Sequence, residues 1–126
     1  MQIKNKKDLK SEFKKRVYIF VLRLIRFIGR LSRSSVNEIM GKQLVRSGTS
    51  VLANYVEANS ASSRKDYINF FTHSLKSANE SKVWISLFRD LSVDGKCNEE
   101  IEWLLKEICE IANILASSIL TLKSKN

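Results

Sequence analysis

Residues 101–122 read IEWLLKEICEIANILASSILTL, and within them Ile101, Leu104, Ile108, Ile111, Leu115, Ile119 and Leu122 recur at steps of three and four residues. That period keeps all seven side chains on one face of an α-helix. A half-buried strand would alternate at every second residue, whereas here Glu102, Lys106, Glu107 and Glu110 fill the intervals. Asn98 suits the cap of such a helix, and Glu99 and Glu100 follow in the first turn, where the helix dipole favours negative charge. Lys123 and Lys125 stand near the closing carbonyls, where it favours positive charge.

The same period runs through the rest of the chain. A first helix is expected from about Leu9 to Leu31, with Phe13, Val17, Phe20, Leu24, Phe27 and Leu31 as its seam. A second set, Tyr18, Val21, Leu22, Ile25 and Ile28, widens the apolar surface beyond what one bundle core covers. This helix is therefore expected to face its own core on one side and another subunit on the other. Ser32 to Ser35 form a turn, and Ser35 with Glu38 fits a capping box for a second helix ending near Asn59. Ile39, Met40, Leu44, Ser47, Val51, Tyr55 and Ala58 are its inward positions, and Ser47-Gly48-Thr49-Ser50 makes its middle small and polar.

Ser63 with Asp66 starts a third helix that carries Tyr67, Phe70, Phe71, Leu75, Ala78, Trp84, Ile85, Phe88 and Leu91. Its centre, Ser74, Ser77, Ala78 and Ser81, is small as well, so the second and third helices are paired at a close crossing. Asp94-Gly95 marks the last turn. Four long helices on short links predict an all-α, up-down-up-down antiparallel four-helix bundle, one domain over residues 1–126.

Composition agrees. Of 126 residues 44% are apolar, none is proline and four are glycine, too few turn formers for a many-stranded fold. Cys97, in the last loop, and Cys109, among apolar helix positions, make neither a disulfide framework nor a zinc site. The basic start has no apolar signal core behind it, because Arg23 and Arg26 interrupt the run that begins at Val17. A soluble, cytoplasmic protein with no membrane partner is expected, and peripheral attachment through the basic, aromatic first helix is a third, lesser alternative that a stable oligomer burying that helix would exclude.

The net charge of +9 is lopsided: residues 1–46 hold 13 Lys and Arg against 3 Asp and Glu, while the remainder is close to balance. Such a bias points to an anionic partner, RNA or DNA. Lys10, Lys14, Lys15, Arg16, Arg23, Arg26, Arg30, Arg33 and Lys42 are the candidate phosphate contacts. A solubilising face is the competing explanation.

Catalytic equipment is missing from the pattern. His73, the one histidine, has no nucleophile, orienting carboxylate or co-ligand at a useful spacing. Neither metal nor cofactor is expected, and the chain is read as no enzyme. Arg46, Asn54, Glu57, Lys76 and Glu80 gather near the seam of the second and third helices. They are expected to form a structural polar network in which Arg46 compensates a buried Glu80 or Glu57. A pocket is the alternative use of the same five residues.

Residues 41–51, GKQLVRSGTSV, continuing through Ala53-Asn54-Tyr55-Val56-Glu57-Ala58, resemble the signature of a bacterial four-helix bundle family that includes proteins encoded in intervening sequences of 23S ribosomal RNA genes. Ser63-Arg64-Lys65-Asp66-Tyr67 and Lys76-Ser77-Ala78-Asn79-Glu80-Ser81 with Trp84 follow in the family's order. The likeness departs at Leu52, where the family often has glycine. It covers nearly the whole chain and implies a homopentamer. The family is also similar to accessory proteins of diversity-generating retroelements, which form basic pentamers that bind nucleic acid and a reverse transcriptase. The resemblance thus implies self-association, RNA or DNA and a nucleic-acid-processing protein as partners. The alternative function is a scaffold whose partner is another protein.

Overall fold

The computed structural model describes residues 5–91 and 98–125, apart from the Asn98 side chain. Four helices follow one another: α1 (Lys6–Gly29), α2 (Ser35–Asn59), α3 (Arg64–Leu91) and α4 (Asn98–Ser124). Each packs on its two neighbours in the order α1, α2, α3, α4 and back to α1. Consecutive helices run antiparallel, as in an up-down-up-down bundle. The α2–α3 contact is the most extensive and the α1–α4 contact the slightest.

Side-chain caps set where the helices begin. Asn5 accepts a hydrogen bond from the Asp8 amide at 2.9 Å, so α1 starts earlier than the expected Leu9. Ser34, not Ser35, caps α2: its hydroxyl oxygen accepts from the Asn37 amide at 3.0 Å. Ser35 is already helical, which leaves it no extended backbone from which to cap. Ser63 caps α3 through the Asp66 amide at 3.1 Å, as the spacing predicts. The Asp94-Gly95 turn, Cys97 and the Asn98 cap lie outside the described residues.

The core holds Val17, Phe20 and Leu24 of α1, Leu44 and Val51 of α2, Ile85 of α3, and Leu104, Ile108, Ile111 and Leu115 of α4, all fully buried. Phe27 and Phe88 meet edge-on across the bundle diagonal, with ring centroids 5.7 Å apart. Ile39 departs from expectation and is 63% exposed, because the adjacent Met40 takes the inward place about 100° away on the helix. Leu91, at the end of α3, is exposed too. Leu52, the departure from the family pattern, is half-buried and packs against the core.

The small middle of α2 serves two neighbours rather than one. Ser47 and Ser50 face α3: Ser81 and Ser47 hydroxyls lie 2.9 Å apart, as do those of Ser77 and Ser50, and Ser74 donates to the Val51 carbonyl at 2.7 Å. Gly41 and Gly48 face α1. A Cβ on Gly48 would stand 2.9 Å from Leu24 Cδ1, and one on Gly41 would stand 3.1 Å from Ile28 Cγ2. Close approach of α1 explains both glycines in a helix interior, where each weakens helix propensity by about 1 kcal/mol relative to alanine.

Candidate nucleic-acid interface

The nine predicted cations divide into two groups. Arg16 and Arg23 are tied to α4. Arg16 donates from Nε to Glu107 Oε2 at 2.9 Å and from Nη2 to Glu107 Oε1 at 2.6 Å, and Nη2 also reaches Glu110. Arg23 repeats the fork one heptad on, with Nε to Glu100 Oε1 at 2.9 Å and Nη2 to Glu100 Oε2 at 2.7 Å. Its guanidinium lies over the Trp103 ring, 3.5 Å from the centroid.

Paired forks of this kind are charge-assisted and geometrically specific. The hydrogen bonds to Glu107 raise the pKa of the Arg16 guanidinium above its ordinary value, and those to Glu100 raise that of Arg23. In return the Arg23 hydrogen bonds pull the Glu100 carboxyl below the usual carboxylate range. These two arginines join α1 to α4, with 35% and 36% of their side chains still exposed along that seam.

The other seven, Lys10, Lys14, Lys15, Arg26, Arg30, Arg33 and Lys42, are exposed. Lys14, Lys15, Arg26, Arg33 and Lys42 make no side-chain hydrogen bond or ion pair among the described residues. Arg30 contributes to the lowering of the Glu100 carboxyl. Lys15 and Arg26 are eleven residues apart, three helical turns, and so share a face; Arg30 lies one turn further on. The three span roughly 22 Å at about 1.5 Å per residue. Arg33 and Lys42 come together with Arg46 around a hollow of about 550 Å³ where α1 gives way to α2.

The expected polar network is partly realised and is not buried. Arg46 bonds Gln43 Oε1 at 3.0 and 3.1 Å and pairs with Glu80, which also accepts from Trp84 Nε1 at 2.9 Å. The Arg46 and Glu80 side chains are 58% and 38% exposed, so the pair rides on the α2–α3 surface. Asn54 turns to Ser50, donating at 2.9 Å to both its carbonyl and its hydroxyl. Glu57 and Lys76 are exposed and join no side-chain hydrogen bond or ion pair among the described residues. The buried polar contact is the serine set, because small hydroxyls fit where two backbones approach and charged groups would need solvent.

Apolar side chains also lie outside the core, and two groups of them stand together among the described residues. Tyr18 and Ile25, with the half-buried Leu22 between them, form a stripe on the outer side of α1. Val36, Ile39, Leu87 and Leu91 are exposed on α2 and α3, and the antiparallel Ser47–Ser81 register sets them level with one another. Among the described residues no three His, Cys, Asp or Glu side chains could hold a metal ion, and His73 is exposed on α3. No helix among them is long and apolar enough to cross a membrane.

The family profile described as 23S rRNA-intervening sequence protein matches residues 10–117. The chain belongs to that family. Its fold is similar to the crystal structure of a protein of unknown function from the S23 ribosomal protein family of Bacteroides thetaiotaomicron VPI-5482, at 33% sequence identity and a TM-score of 0.76. The match covers 87% of this chain and 96% of that one. Among curated proteins none matches. The family's description names no reaction.

Sequence reasoning missed the carboxylates that engage Arg16 and Arg23. The signal was present: the two arginines are seven residues apart, and so are Glu100 and Glu107. Equal heptad spacing of opposite charges on the first and last helices of an antiparallel bundle is a pairing pattern. Arg64, at the start of α3, donates from Nη2 to the Leu122 carbonyl near the end of α4, a contact that no local pattern announces.

Proposed function

We propose that this intervening-sequence family member is a non-enzymatic, homo-oligomeric cytoplasmic protein that binds RNA through the phosphate backbone. The observation that carries the reading is the division of the α1 cations: Arg16 and Arg23 are used up by α4, whereas Lys15 and Arg26 share one exposed face without an acidic partner among the described residues. Unneutralised cations spaced along a rigid helix give strong, salt-sensitive and sequence-tolerant phosphate contact. Arg30, Arg33 and Lys42 extend that surface towards the α1–α2 turn, and no base-reading module accompanies it.

Self-association is part of the proposal. The apolar stripe on α1 and the apolar patch on α2 and α3 occupy different faces, which favours a head-to-tail contact and a closed ring over a two-fold dimer. The count of five follows the family resemblance. A ring would repeat the basic face and raise avidity without new contacts. The patches also favour a second reading, a scaffold whose partner is another protein.

The test replaces Lys15, Arg26 and Arg30 together by glutamine and measures RNA affinity across a salt series, with assembly followed by sedimentation. The expected result is intact assembly and a salt slope shallower by about 2 to 3, since each lost phosphate contact removes roughly 0.7–0.9. An unchanged slope removes these residues from the interface, and absence of RNA binding at low salt leaves the scaffold.

A further inference from the structure

At the end of the bundle that holds the start of α1, α1 and α4 part and leave a groove of about 560 Å³. The cause lies in α4. On the side turned to α1 it carries the long side chains Glu100, Trp103, Glu107 and Glu110, which reach Arg16 and Arg23. Further along the same side come Asn113, Ser117 and Thr121, which are too short to bridge the gap.

The floor of the groove is aromatic. Phe13 meets Tyr55 edge-on at 5.0 Å, Tyr55 meets Phe71 at 5.7 Å, and Tyr67 stacks on Phe71 at 4.9 Å with 27° between the planes. The Tyr55 hydroxyl donates to the Lys10 carbonyl at 3.2 Å, which fixes α1 over this floor. The mouth is cationic. Lys10 Nζ sits 5.7 Å from the Tyr67 ring centroid, and Lys6, Lys10 and Arg64 line the adjoining hollow with Tyr67, Arg64 donating from Nη2 to the Leu122 carbonyl there.

We propose that this groove takes one unpaired nucleotide of a bound RNA, its base against the Tyr67–Phe71 floor and its phosphate at Lys6, Lys10 and Arg64. The inference rests on the RNA-binding reading and narrows it to single-stranded or bulged segments. Three features select this occupant. The aromatic lining offers apolar ring surface against which any base can lie once Lys10 swings from Tyr67 to the phosphate. The amide and hydroxyls of Asn113, Ser117 and Thr121 can donate to and accept from base edges, whereas an acyl chain would leave them unpaired. The three cations stand at one end of the groove, as a phosphate at one end of a nucleotide requires. A closed duplex presents neither a free base face nor a base narrow enough to enter.

The experiment compares a short oligouridylate with an RNA duplex of equal phosphate number, for the unaltered chain and for Ser117→Trp, which fills the groove from an exposed position. Thermal melting confirms folding, and Thr121→Trp serves if Ser117→Trp does not fold. The expected result is an oligouridylate-to-duplex affinity ratio about tenfold lower in the variant, the loss of one stacked base. An unchanged ratio overturns the inference and leaves phosphate binding standing. If neither RNA binds at low salt, the RNA-binding reading itself fails. Titration of uridine monophosphate against the Tyr67 and Ser117 amide resonances then decides the groove separately. Shifts there support a nucleotide site; no shifts, or shifts with decanoate alone, overturn it.

Discussion

Gly48→Ala sets two physical effects against each other. Alanine in a helix interior is worth about 1 kcal/mol over glycine, so helix propensity alone forecasts a more stable chain. The structure forecasts the opposite. A Cβ at residue 48 would lie 2.9 Å from Leu24 Cδ1, 3.4 Å from Cδ2 and 3.7 Å from Cγ. Both methyls and the branch carbon face the glycine, so a turn about the last side-chain bond only brings one methyl in for the other. Leu24 is fully buried between helices, so it yields only by displacing close-packed core neighbours. Overpacking of this kind costs about 1–3 kcal/mol. The expected net effect is a loss of about 1 kcal/mol, or roughly 4 °C in Tm for a chain of this length. Urea denaturation at fixed protein concentration measures it. The decisive control is the Leu24→Ala background, itself weakened by about 2–5 kcal/mol. There the obstructing atoms are gone and Gly48→Ala should become stabilising. A single variant that is more stable than the parent, or no change of sign in the second background, would refute the close-approach explanation of Gly48.

Glu80→Ala is expected to cost no more than about 1 kcal/mol in chemical denaturation, because the Arg46–Glu80 pair is solvent-exposed and pairs of this kind contribute little; a loss of several kcal/mol would mean that the pair is buried in the assembled protein. The ion pair between α1 and α4 has a pH signature. The Glu100 carboxyl is lowered in the folded chain, so its contribution is complete above the unfolded carboxylate value of about 4.3 and is lost as the pH falls through the lower folded value. Glu100→Gln should therefore flatten the acid limb of the stability curve, and an unaltered limb would show that Arg23 does not hold this carboxylate in solution.

Much of the fold was readable from spacing. The apolar seams of α1 and α4, the Ser63 cap and the pairing of α2 with α3 all follow from local pattern, because helix period and cap chemistry act over a few residues. The candidate interface was less legible. Nine cations were visible as a cluster, yet their roles depend on what stands opposite them. Ser34 and Ser35 both fit a cap by type, and only the backbone entering α2 separates them. The charged set around Arg46 drew attention to polarity, while the buried contact belongs to plain serines, Ser47, Ser74 and Ser81, whose value comes from backbone proximity.

What the amino-acid sequence determined by itself was therefore periodic and local: four amphipathic helices, their approximate ends, the inward face of each, and a surplus of positive charge in the first third. What only the tertiary structure decided was which groups meet. Arg16 and Arg23 became struts to Glu107 and Glu100, whereas Lys15 and Arg26 stayed open to a partner. Gly41 and Gly48 became the seat of α1, and the short side chains late in α4 opened a groove over Tyr67. The physical reason is range. Hydrogen bonding within a helix reaches four residues along the chain, while ion pairing, overpacking and cavity formation depend on atoms brought to within a few ångströms from positions tens of residues apart.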